Sequence, residues 1–147
     1  MNRLPAPMGL LIQRDQLLDF SFDGQRYQGL QGDSIASALL ANGRFLISRS
    51  FKYHRPRGPL TMAGQDANSL VQLPQEPNVL ADAHALSGGL QVSAQNVNGS
   101  LDHDRDAYLG KFSKFMPVGF YYRSFYKPKG MWKVWEPIIR KKAGLGV

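Results

Sequence analysis

The sequence predicts an α+β fold of the β-grasp type: a mixed sheet laid across one main helix, followed by an aromatic-rich helical C-terminal extension. Three observations carry this. A strand pair joined by Asp23-Gly24 comes early, and a short apolar helix opened by Gly32-Asp33-Ser34 follows it. Then come short strands separated by a long proline- and glycine-containing loop. Hairpin, helix, short strands is an order that a β-grasp sheet accommodates, the helix crossing one face while later strands return beside the first.

After a proline-containing leader, residues 18–22 (LDFSF) alternate apolar and polar side chains, as a half-buried strand does. Asp23-Gly24 suits a type I′ turn, whose two central residues take positive φ, and residues 25–30 (QRYQGL) read as the returning strand. Asp33 or Ser34 can serve as N-cap of the next element. Ile35, Leu39 and Leu40, with alanines between them, make an apolar helical face that stops at Asn42-Gly43. Residues 45–47 suggest a short strand. Residues 55–59 (RPRGP) read as loop, because two prolines remove donors and fix φ. Residues 69–73 (SLVQL) and 90–94 (LQVSA) read as strands, with a turn at 74–77.

From Ser100 the character changes. Residues 102–115 suggest a helix with acids early and lysines late, matching the helix dipole. Residues 115–135 then hold Phe115, Phe120, Tyr121, Tyr122, Phe125, Tyr126, Trp132 and Trp135, too many aromatics for an isolated tail to bury. A terminal helix over about 129–143, interrupted near Pro137, is expected. Residues 1–98 are therefore read as the β-grasp domain and 99–147 as an aromatic and basic helical extension.

The 147 residues suit one domain with an appendage, and 43% hydrophobic with 20% charged residues excludes wholesale disorder. The absence of cysteine excludes disulfides, thiolate zinc sites and cysteine nucleophiles. No apolar run is long enough to cross a membrane and the first residues lack the shape of a signal peptide, so a cytoplasmic protein is expected. His84 and His103 stand apart, so no metal site is expected. Asp102, Asp104 and Asp106 imitate part of a calcium loop but lack its glycine and closing glutamate. Ser87 and Ser113 lack an activating histidine in any recognisable arrangement.

The net charge is +7 with an isoelectric point near 9.9, and the charge is clustered. Between Ser34 and Gln65 there is no acid, while Arg44, Arg49, Lys52, Arg55 and Arg57 all lie there. Such a run serves a solvated face, an anionic cofactor, an acidic protein partner or nucleic acid equally well on charge alone. Lys52, His54, Arg55, Arg57 and Gly58 are the candidate contact for an anion or partner. Arginine forks match phosphate and carboxylate, and glycine admits close approach to the backbone.

Six segments, LDFSFDGQRYQGLQGDSIASALLANG, SRSFKYHRPRGPLT, NSLVQL, EPNV, FYYRSF and WEPIIRKKAGLG, together resemble the N-terminal domain of the alpha subunit of heterotetrameric sarcosine oxidase. The resemblance implies a domain similar to [2Fe–2S] proteins whose cluster cysteines, spaced C-x4-C-x2-C with a fourth further on, fall at Thr61, Asp66, Ser69 and Asp82. It implies a non-catalytic docking role, since amine oxidation belongs to another subunit. The whole enzyme would demethylate sarcosine to glycine with tetrahydrofolate and oxygen, using FAD, covalent FMN and NAD. The expected partners are the other subunits of the heterotetramer and a downstream dinucleotide-binding module; Gly144 and Gly146 alone do not form that module's site. Neither nucleic acid nor membrane is expected. The alternatives are a [2Fe–2S] electron-transfer subunit of an amine or imino-acid dehydrogenase, recognisable by its visible spectrum, and a basic nucleic-acid binder, recognisable by salt-dependent affinity.

Overall fold

The computed structural model describes residues 1–115 and 125–143. Strand β1 (Gln13–Phe22) and strand β2 (Gln25–Gln31) pair antiparallel, with Phe20 opposite Tyr27 and Phe22 opposite Gln25. The register slips between Gln13 and Leu17, so the regular ladder starts at Leu17. At the turn Asp23 and Gly24 have φ of 49° and 77°, the positive values a type I′ turn demands. The alternation seen in the sequence is real, for Phe20 and Phe22 are buried while Asp19 faces out and accepts a hydrogen bond from Gln28.

Helix α1 (Ile35–Ala41) is capped by Ser34, whose hydroxyl accepts from the Ser37 amide while the Ser37 hydroxyl accepts from the Ser34 amide. Asp33 is left with a different task. It is buried and accepts from the Leu30 amide, the Ser37 hydroxyl and both terminal nitrogens of Arg3, which ties the leader to the sheet. The helix ends at Asn42, and Gly43 follows at φ 77°. It lies tight against β2. A Cβ on Gly29 would come within 2.3 Å of Leu86 Cδ2 and 3.0 Å of Ala38 Cβ, so only glycine fits there.

Five strands form the main sheet, which adds β5 (Leu70–Gln72), β6 (Val79–Leu80) and β7 (Gln91–Ala94) to the hairpin in the order β2-β1-β7-β5-β6. The β1–β7 pair is parallel and the others antiparallel, which makes the mixed β-grasp sheet. Asp23 reinforces the parallel junction by accepting from the Ala94 amide at 2.7 Å. The core between sheet and helix contains Phe20, Phe22, Ile35, Leu39, Ile47, Val71, Val92 and Leu101. Burial of such side chains, at about 1.5–3 kcal/mol each, is the main force holding the unit together.

Four local expectations are corrected. Residues 45–47 are not a strand; the strand is β3 (Ser48–Arg49), and Phe45 is exposed. The 55–59 segment contains β4 (Pro56–Arg57), paired antiparallel with β3. Proline is tolerated because the ladder bonds run from the Ile47 amide to Arg57 and from the Ser50 amide to Arg55, so none needs a Pro56 donor. The segment expected as a helix over 102–115 is a 3-10 helix, Arg105–Phe115, begun by Asp104. The terminal helix α2 (Trp132–Ala143) starts three residues later than expected and continues through Pro137. Of the aromatic run, Phe120, Tyr121 and Tyr122 lie outside the described residues.

Candidate functional site

The loop from Gly58 to Ser69 and the bend at Asp82 bring three of the four candidate ligand positions together. Asp66 is 4% exposed, Ser69 is fully buried and Asp82 is 6% exposed. Asp66 Oδ2 accepts from the Leu60 amide at 2.7 Å, the Ser69 hydroxyl at 2.9 Å and the Thr61 amide at 3.5 Å, and its Oδ1 accepts from the Asn68 amide at 2.9 Å. Asp82 Oδ2 accepts from the Gln65 and Asp66 amides at 2.9 and 3.1 Å. Thr61 is exposed, and its hydroxyl accepts from the Ala63 amide. Burial alone would raise the Asp66 pKa. The Leu60 and Asn68 amides, the Ser69 hydroxyl and the Thr61 amide outweigh it and hold the carboxyl below its ordinary value.

The basic block behaves differently from its look in the sequence. His54 is 4% exposed, and its Nδ1 lies 2.7 Å from Asp104 Oδ2. Arg49 is also buried; its Nε is 3.6 Å from that same oxygen and its guanidinium donates to the Leu101 and His54 carbonyls. Asp104 Oδ1 accepts from the Asn98 and Asp106 amides. Burial pushes the Asp104 pKa upward, but the Asn98 amide, His54 and the Asp106 amide prevail and lower it. Arg44 pairs with Asp102 at 3.0 Å. Thus His54, Arg49 and Arg44 are matched by acids from residues 102–104 and fasten that segment to the domain.

The other candidates divide. A Cβ on Gly58 would lie 2.1 Å from the Phe45 carbonyl oxygen, so this glycine is needed for chain packing. Arg57 is exposed and bonds Asn68 Oδ1. Arg55 is exposed with its guanidinium carbon 4.6 Å from the centre of the Tyr53 ring, and Lys52 Nζ is 4.9 Å from that centre. Lys52 and Arg55 therefore share the Tyr53 ring, Arg57 bonds Asn68, and His54 and Gly58 are taken up in packing. His84 Nδ1 contacts the Ala85 carbonyl, and no group of three or more potential metal-ligating side chains occurs among the described residues. The pairing of Arg44, Arg49 and His54 with later acids went unread in the sequence; the visible signal was the Asp102, Asp104, Asp106 triplet further along from an acid-free basic stretch.

The chain belongs to the family of 2Fe–2S iron–sulfur cluster binding domains, whose model matches residues 15–97. It is 47% identical to sarcosine oxidase subunit alpha of Rhizobium meliloti (strain 1021), over 99% of this chain and 15% of that protein. The same subunit of Corynebacterium sp. (strain U-96) is 30% identical over 67% of this chain and 11% of its own length. The chain is thus a homologue of sarcosine oxidase alpha subunits, spanning about one seventh of the first relative's length. The solved structure of L-proline dehydrogenase from P. horikoshii aligns over 56% of this chain and 16% of its own, at 20% identity and a TM-score of 0.49.

The residues present do not fit the cluster that the family name implies. There is no cysteine in the chain. The side chains at the ligand positions are hard oxygen donors, which suit iron and sulfide poorly. Both lone-pair-bearing oxygens of Asp66 are already engaged, and the Ser69 proton points to Asp66.

Proposed function

We propose that this chain is a non-catalytic structural and docking domain of a sarcosine oxidase alpha subunit. The enzyme around it would be a flavoenzyme that oxidatively demethylates sarcosine to glycine with tetrahydrofolate and oxygen. FAD, FMN and NAD would be held by other parts of that assembly. The observation that carries the reading is the Asp66–Ser69–Asp82 network, which fills the ligand positions with groups bonded to one another and to the loop backbone. Exposed apolar side chains support docking: Leu10, Leu11, Phe45 and Leu60 are 69–90% exposed. In this reading 1–98 is the β-grasp unit, and 99–147 leads from it toward a dinucleotide-binding module. Protein produced with iron and sulfide supplied should show no sulfide-to-iron absorption in the visible and only trace iron. Cluster-stoichiometric iron with those bands would refute it.

Lys52, Arg55 and Arg57 would contact an acidic subunit surface or a flavin phosphate in the assembled enzyme. The paired substitution Arg55→Ala and Arg57→Ala should weaken subunit co-purification or lower bound FMN in the holoenzyme. Unchanged values of both would remove this contact from the account.

A further inference from the structure

We propose that Asp66 and Asp82 are built-in anions that perform the structural work of the missing cluster, gathering the loop's donors so that it closes with no metal. An iron–sulfur cluster with four thiolates is a buried negative group, and donors from the surrounding chain, hydrogen-bonded to its sulfurs, help to set its properties. Here the two carboxylates stand at two of the four ligand positions. Between them they accept five backbone N–H bonds and one hydroxyl bond, from Leu60, Thr61, Gln65, Asp66, Asn68 and Ser69. The two acids are linked in series, because the amide of Asp66 donates to Asp82.

Ordinary turn chemistry explains only part of this. The bond from the Asn68 amide to Asp66 is a local turn contact. Those from Leu60 and from Gln65 are not: they span six and 17 residues and draw the loop's far ends onto buried carboxylates. No helix starts at Asp66, so neither acid is a cap; residues 66–69 run straight into β5. A loop of this length without regular structure must find internal partners for its backbone or stay open to water. The charge suits the task, because a carboxylate accepts several strong bonds where a neutral amide would set its own N–H against the incoming donors. Asp66 has four donors and Asp82 two, while Asp82 Oδ1 is buried with no partner among the described residues. Asp66 is accordingly the stronger organiser.

This inference rests on the reading that the chain carries no cluster, which metal analysis tests separately. The decisive measurement is amide hydrogen exchange on the 147-residue chain with an iron chelator present. The Leu60, Gln65, Asp66 and Asn68 amides should be protected without iron. Asp66→Asn should cut protection at Leu60 and Asn68 by about tenfold or more, leaving the Ser21 and Ala38 amides within about twofold. Asp82→Asn should do the same, more weakly, at Gln65 and Asp66. If Asp66→Asn does not fold, Asp82→Asn and the unaltered chain decide the matter. Loop amides that exchange freely in the metal-free chain, or that ignore the substitutions, would overturn the inference. Protection that appears only on binding iron and sulfide would overturn both it and the cluster-free reading.

Discussion

Replacing Asp104 by alanine should detach the start of the C-terminal extension from the domain. The Asp104 side chain is fully buried and answers the Arg49 guanidinium at 3.6 Å and the His54 ring at 2.7 Å. It also accepts from the Asn98 and Asp106 amides, at 2.9 and 3.2 Å. Asp104→Ala leaves Arg49, itself 8% exposed, with carbonyl partners but no counter-charge. Breaking a buried pair from one side costs about 3–5 kcal/mol, a large share of the roughly 5–15 kcal/mol that keeps a domain folded. At ~3 °C per kcal/mol for a chain of this size, the midpoint of thermal unfolding should fall by about 10 °C. His54→Ala removes the other side of the same contact, so the double variant should fall short of the sum of the single losses by about 1–3 kcal/mol. Thermal unfolding of the four proteins completes the cycle, and limited proteolysis should find new cleavage near residues 98–106 in Asp104→Ala. A loss below about 1 kcal/mol, the level of an exposed ion pair, would refute the idea that this pair anchors the extension.

Acid should destabilise the fold through two named carboxyls. Asp66 and Asp104 have pKa values below the ordinary one in the folded chain, so the unfolded chain binds protons first. Their contribution is complete above the unfolded carboxyl value of about 3.9 and is lost as pH falls through the lower folded values. Denaturant unfolding followed down the pH scale should show stability dropping below about pH 4, and Asp66→Asn should flatten that drop; an unchanged slope speaks against it. Gly29→Ala should cost about 1–3 kcal/mol by driving a methyl into Leu86 and Ala38. Gly24→Ala, which meets no atom but holds φ at 77°, should cost about 1 kcal/mol. Equal losses in a denaturant titration would contradict the close helix–strand packing.

The elements legible in the sequence are those whose causes are local. The β1–β2 hairpin follows from a two-residue alternation and Asp23-Gly24, and α1 from a cap, an apolar face and Asn42-Gly43. What stayed hidden depends on partners far along the chain. Pro56 becomes part of a strand because Ser48–Arg49 lies opposite it. β6 has two residues, too few to display a period, and is recognisable only beside β5. Leu101 reads as the start of an appendage, yet it sits in the core at 2% exposure. For the site the same limit applies. His54 read as a candidate anion contact because the acid it bonds comes 50 residues later.

Two sets of acids explain how the domain holds its frame without cluster cysteines. One set, Asp66 and Asp82, points inward to a loop whose donors need an anion. The other, Asp102 and Asp104, crosses from the extension to a basic stretch that needs counter-charge. Asp66, Asp82 and Asp104 stand where burial would otherwise leave polar groups unpaired, a costly defect in a small core, while Asp102 pairs at the surface. A cluster lost without the first set would leave an open loop, and a basic block without the second would repel itself. In the proposed docking role, the exposed Leu10, Leu11, Phe45 and Leu60 are the surfaces that would meet partners.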